Sequence, residues 1–291
     1  MKSQIQHFIA IAVSGAGLCS AVAQGPKPPE KLDLAAFPGE IVEKVVVPVP
    51  AEVFAVLDKL DEPNWTQEIQ IPEESRLETK DRVKLSLGFG SLVAEGFIAV
   101  QAQDVAEIKT IGEQALKLGN SLGLGDAVQA HSLSIVDGAE REDWRRVRAE
   151  LDRTQATVRE TMTKLRDDDL GTLVSLGGWI RGTSALTSLI SDNFNQDKSE
   201  LLNQPSLVEH FIKSIDSMDP LNLKHEDVVQ IRTGLVALLV LIQKEDENDA
   251  GISAEDVAAM GDICREILEL FYFENDEKAN EDGGQGATDD E

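Results

Sequence analysis

Apolar residues recur at three- and four-residue steps along most of this chain, the period of helices buried on one face. The clearest case is Glu140 to Arg166, where Trp144, Val147, Leu151, Val158, Met162 and Leu165 share a side and Arg, Glu and Asp fill the other. Similar patterns predict helices over Ala51–Leu60, Val105–Leu118, Asp126–Val136, Leu170–Ile190, a segment opened by Pro205, and Ser253–Phe273. Ser253 and Asp256 form a capping-box-like pair before the last of these, and Asp167–Asp169 offer an N-cap and first-turn negative charge before Leu170.

Two stretches are apolar almost all round and are expected at the centre: Lys80–Ala102 and His225–Gln243. In the first, Gly88, Gly90, Ala94, Gly96 and Ala99 are interleaved with large side chains. Each helical glycine costs about 1 kcal/mol relative to alanine, so several together predict another backbone in close approach. Gly177-Gly178-Trp179-Ile180-Arg181-Gly182 is a second small-residue face. A membrane span is the rival reading of Lys80–Ala102, but Arg82, Lys84 and Glu95 interrupt it.

The ends of the chain read differently. Lys2 precedes an apolar stretch from Phe8 to Leu18, and Ala21-Val22-Ala23 supplies a small-residue cleavage pattern, so residues 1–23 read as a signal peptide. Residues 24–50 are rich in proline and read as a linker and extended arm; Ile41–Val49 is rich in β-branched residues but has no obvious second strand to pair with. The tail, 274–291, carries eight carboxylates and one lysine and is expected to be disordered. The fold expectation is therefore all-α: an irregular multi-helix bundle over 51–273 with an extended N-terminal arm and a disordered acidic C-terminal tail.

Composition supports that choice. Aromatics are only 4% of residues, so the interior must be built from Leu, Ile, Val and Ala, which favours helix-on-helix packing. After signal removal Cys264 is the sole cysteine, so no internal disulfide can staple the domain. The net charge of −26 repels nucleic acid and anionic lipid and attracts basic proteins.

Candidate chemistry is thin. Gly119-Asn120-Ser121-Leu122-Gly123 matches the G-x-S-x-G elbow of α/β-hydrolases, but that motif needs a strand-to-helix turn and helix precedes it here. His131, His210 and His225 form no metal-ligand pair and read as helix-surface or cap residues; no metal or cofactor site is expected. Asp246–Gly251 starts like a calcium loop but places Val257 where the bidentate glutamate belongs. Paired carboxylates for sugar hydrolysis cannot be singled out among 53 acids. Arg181, flanked by Trp179, Ile180 and Gly182 in an apolar helix, needs a carboxylate or an anionic ligand, and Glu95 is the candidate partner.

These features favour an exported, periplasmic or extracellular, non-enzymatic protein that binds another protein or scaffolds the cell envelope. The alternatives are a helical carrier with an apolar ligand between its glycine-rich helices, and a hydrolase acting through Ser121.

Overall fold

The computed structural model describes Glu40–Val42, Val45–Val47, residues 63–244 and residues 251–273. The signal sequence, most of the proline-rich segment, the expected helix Ala51–Leu60, residues 246–250 of the calcium-like loop and the acidic tail lie outside the described residues. Eight long helices make the body: α1 (Arg82–Ala102), α2 (Val105–Leu122), α3 (Gly125–Glu140), α4 (Trp144–Leu165), α5 (Asp168–Asp192), α6 (Pro205–Asp216), α7 (Glu226–Ile242) and α8 (Ala254–Glu269). The fold is all-α, a multi-helix bundle. Glu40–Val42 (β1) and Val45–Val47 (β2) pair antiparallel with each other, so the β-branched run supplies both strands of a small hairpin.

The helices close two rings that share one member. In the first, α1 packs on α2, α2 on α3, α3 on α4, α4 on α5, and α5 returns to α1. In the second, α5 packs on α6 and α8, and α7 bridges α6 and α8. The expectation that Lys80–Ala102 is central is met by α1. The expectation for His225–Gln243 is corrected: α7 buries Val228, Ile231, Leu235, Leu238 and Ile242 on one face and leaves Val229, Val236 and Val240 exposed. Hydrophobicity all round is not burial all round, and the second central helix is α5.

Sequence punctuation sets the helix ends. Asp81 caps α1 through Oδ1, which accepts from the Val83 and Lys84 amides at 2.9 and 3.3 Å. Asp104 caps α2, and Pro205 occupies the first turn of α6. Ser253 and Asp256 complete a capping box at α8. Asp167 stands at the N-cap of α5, but its carboxylate makes no cap bond and pairs with Arg82 at 2.8 Å instead.

Glycine explains the α1–α5 contact. A Cβ on Gly90 would lie 1.9 Å from the Val174 carbonyl oxygen, and one on Gly177 would lie 2.2 Å from that of Leu87. The two backbones therefore touch, and the Ser91 hydroxyl crosses the contact to donate to the Gly177 carbonyl at 3.0 Å. α1 is long and apolar enough by composition to cross a membrane, yet most of that window is buried in the bundle. At Gly90, Gly177 and Gly178 the space is taken by the backbone of the other helix. Cys264 is buried in α8, and burial pushes its thiol up to about 12.

Gly90→Ala or Gly177→Ala should destabilise the protein by at least roughly 1–3 kcal/mol in denaturant titration, because backbone cannot yield to the added methyl. Gly182→Ala, with nothing within 4 Å of its Cβ, should instead be stabilising, by up to about 1 kcal/mol.

Candidate functional site

Beyond the glycine contact, one turn further along both helices, lies the most buried polar cluster in the protein. α1 and α5 run in the same direction, since Arg82 meets Asp167 near their starts and Glu95 meets Arg181 further on. Glu95 and Arg181 are 0% and 1% exposed. The Arg181 guanidinium grips the carboxylate side-on: Nε donates to Glu95 Oε2 at 2.6 Å and Nη2 to Oε1 at 3.1 Å. Nη2 also donates to the Glu68 backbone carbonyl. The Gln70 backbone amide donates to Glu95 Oε1 at 2.5 Å, and the Tyr272 hydroxyl approaches Oε2 at 3.5 Å.

The cluster thus ties four pieces of chain together: α1, α5, the 3-10 turn Trp65–Glu68 with the strand-like residues after it, and Tyr272 beyond α8. Burial pushes the Glu68 carboxyl up, offset only in part by the Ser188 hydroxyl that donates to it at 2.8 Å and by the Arg181 charge. Burial and the adjacent Glu95 charge push the Tyr272 phenol well above its ordinary value. Its Nε and Nη2 donors are given to protein acceptors, and Arg181 joins α5 to α1 and to the Trp65–Glu68 turn as a buried ion pair. Trp179 is not part of it. Its indole Nε1 donates to Gln204 Oε1 at 3.3 Å and its ring packs 5.6 Å from Phe211, so it points toward α6.

Ser121 lies in the last turn of α2, with Gly123 as the left-handed C-cap (φ +80°). Its hydroxyl donates back to the Lys117 carbonyl at 3.2 Å. Helix both contains and precedes Ser121, so no strand-to-helix elbow exists there. His210 stacks near Phe211. His225 caps α7, accepting the Asp227 amide on Nδ1 at 3.2 Å and donating from Nε2 to Asp81 Oδ2 at 2.8 Å. One carboxylate and one imidazole thereby fasten the starts of α1 and α7 together. No group of three metal-ligating side chains occurs among the described residues.

A constellation that the sequence spacing concealed joins α3 to α4. His131 Nδ1 meets Glu150 Oε1 at 2.6 Å and Nε2 meets the Thr157 hydroxyl at 2.9 Å. Glu150 Oε2 also takes Arg153 at 2.5 Å. Acid, imidazole and hydroxyl stand in the order used for nucleophilic catalysis. Thr157, however, lies mid-helix, where neighbouring backbone N–H groups are committed to carbonyls one turn back. Oxyanion donors are therefore lacking beside its hydroxyl, and the geometry serves as a bridge between the helices. Desolvation pushes the Glu150 carboxyl up, but the hydrogen bonds from His131 and Arg153 outweigh it and hold the group below its usual range.

An open cleft of about 500 Å³ sits at the start of α5, lined by Leu170 and by the polar residues Arg82, Arg166, Asp167, Asp168, Asp169, Asp219 and Asn222. Its lining is mostly polar and charged. Asp169 already accepts from the Asp219 amide and the Asn222 amide group, each at 2.9 Å. Comparison with protein-family models, with curated proteins and with solved structures finds no match to the chain.

Arg181→Met would leave Glu95 buried without its counter-charge and should cost about 3–5 kcal/mol, a fall in melting temperature on the order of 10 °C for a domain of this size. The double variant Arg181→Met with Glu95→Leu should recover most of that loss, as read by calorimetry. A depressed carboxyl stabilises the fold above its unfolded-state pKa and loses that contribution as pH falls through its folded value. Glu150→Gln should therefore flatten the acid side of the stability profile below about pH 4.5, the ordinary value from which Glu150 is lowered.

Proposed function

We propose that the chain is an exported, non-enzymatic helical protein that holds a protein partner on the outer face of α7. The observation that carries this reading is the exposure of Val229, Val236 and Val240, at 50, 40 and 66%. They recur at seven- and four-residue steps, which places them on one stripe, with the exposed small residues Thr233 and Ala237 among them. Full burial of a valine side chain is worth on the order of 1.5–3 kcal/mol, so three on one stripe are a sizeable contact held in reserve. Apolar anchors inside a polar rim are the usual anatomy of a protein interface.

Charge narrows the partner. The chain carries a net −26, and Glu245-Asp246-Glu247 follow the stripe directly in sequence. A partner helix with apolar anchors and a basic rim matches that surface, and the same charge repels nucleic acid and anionic membranes. The signal-like first 23 residues support an encounter in the periplasm or outside the cell.

A photocrosslinking amino acid placed at Val240 of the protein in cells tests both parts. Expected are a mature form beginning at Gln24 in the exported fraction and a covalent adduct with a different polypeptide, lost when Val229 and Val236 are each replaced by Asp. Retention of the full-length chain inside the cytosol overturns the address, and the lack of any adduct overturns the docking face.

A further inference from the structure

One element runs against the charge of the whole molecule. Residues 141–166, which comprise α4 and its flanks, carry eight arginines and lysines against five acids in a chain with nearly twice as many acids as bases. Arg145, Arg159 and Arg166 recur at multiples of seven and share a stripe, with Arg146 and Arg153 on the stripe beside it. All five side chains are exposed. Arg146 is paired with Asp137 and Arg153 with Glu150, but Arg145 and Arg166 make no side-chain pair with the described residues. Outward from the bundle, α4 is a row of cations.

The opposite charge is concentrated in the chain itself. The eighteen residues after Phe273 hold eight carboxylates and a single lysine. Their point of departure is fixed by the fold. Lys84, in the first turn of α1, donates to the Leu270 carbonyl at 3.3 Å, and Arg76 donates to that of Glu269. Arg82, two residues before Lys84, pairs with Asp167, which follows Arg166 at the end of α4. The end of α8, the start of α1 and the C-terminal end of α4 therefore meet at one end of the bundle. From there α4 extends away for about 33 Å, at 1.5 Å per residue. An extended chain of eighteen residues spans up to roughly 60 Å, enough to run the length of that helix.

We propose that the acidic segment 274–291 docks in cis along the arginine face of α4. The contact is electrostatic and lies at the surface, so it is salt-sensitive: the Debye length falls from about 10 Å at 0.1 M to about 3 Å at 1 M. It also screens the basic face of α4 from acidic segments of other copies, while the apolar stripe of α7 stays uncovered by the tail.

The test places a nitroxide label on the tail of the full chain through Ala287→Cys, with Cys19→Ser removing the other native cysteine outside the bundle. Cys264 does not compete for the reagent, being fully buried with a thiol pushed up to about 12. In dilute isotope-labelled protein, amide signals along α4 should lose intensity at low salt and regain it at 1 M sodium chloride. Replacing Arg145 and Arg166 each with Gln should restore those signals at low salt while melting remains unchanged. Undiminished α4 signals at low salt overturn the proposal. Loss of signal that occurs only when isotope-labelled, unlabelled-tail protein is mixed with spin-labelled protein also overturns it, since the tail then binds a second copy.

Discussion

The structure depends on one direct backbone contact. α1 and α5 approach until Gly90 and Gly177 face carbonyl oxygens of the other helix, and no side chain larger than hydrogen fits at those two points. Everything else is arranged around that approach. The first ring of helices closes by bringing α5 back to α1, and the second ring uses the free side of α5. Because α5 belongs to both rings, the crossing that seats it on α1 also sets where α6 and α8 can pack.

Close contact alone leaves a helix pair free to slide, since two smooth glycine faces match at more than one register. The Glu95–Arg181 pair removes that freedom. Side-on chelation demands one translation and one rotation of α5 relative to α1, and the extra acceptors on the Glu68 carbonyl and donors from Gln70 demand one path for the residues before α1. A buried ion pair contributes little net stability against a well-packed apolar alternative, because desolvation cancels most of its attraction. Its consequence here is geometric: a slipped register leaves a charge buried and unmatched, which costs several kcal/mol. Apolar burial supplies the driving force, and the pair selects among the packings that burial would accept.

This division explains what was legible in the sequence. Periodicity finds helices because an amphipathic stripe is a local property; Trp144 to Leu165 and the Ser253 cap need no knowledge of the rest of the chain. The conflict between an arginine and its apolar neighbours is also local, which is why Arg181 and Glu95 stand out before their partners are known. The second central helix was illegible for the converse reason. α7 is the more apolar in sequence, but α5 has the glycines and the central position, and burial is decided by neighbours rather than by composition. Tyr272, His131, Glu150 and Thr157 escaped because their relationships span two helices or the whole chain, and no spacing rule connects residue 95 with residue 272.

The absence of crosslinks sharpens the point. The one cysteine of the bundle, Cys264, is a free thiol, so these helices are kept in one arrangement by non-covalent means. Several of its polar links join segments far apart in sequence: Asp81 with His225, Arg82 with Asp167, Lys84 with Leu270, Arg76 with Glu269, and Glu95 with Arg181. The first four cluster at the start of α1, so this end of the bundle is fastened to α7, α5 and the residues closing α8 at once. Each such exposed or half-exposed link is worth little by itself. Together they oppose the separation of helix ends, the motion by which a bundle without disulfides would begin to open. The long-range tethers thus do for the rim what Glu95 and Arg181 do for the interior. The exposed stripe of α7 can remain available to a partner because its helix is already secured at its first turn by His225 and along its inner face by α6 and α8.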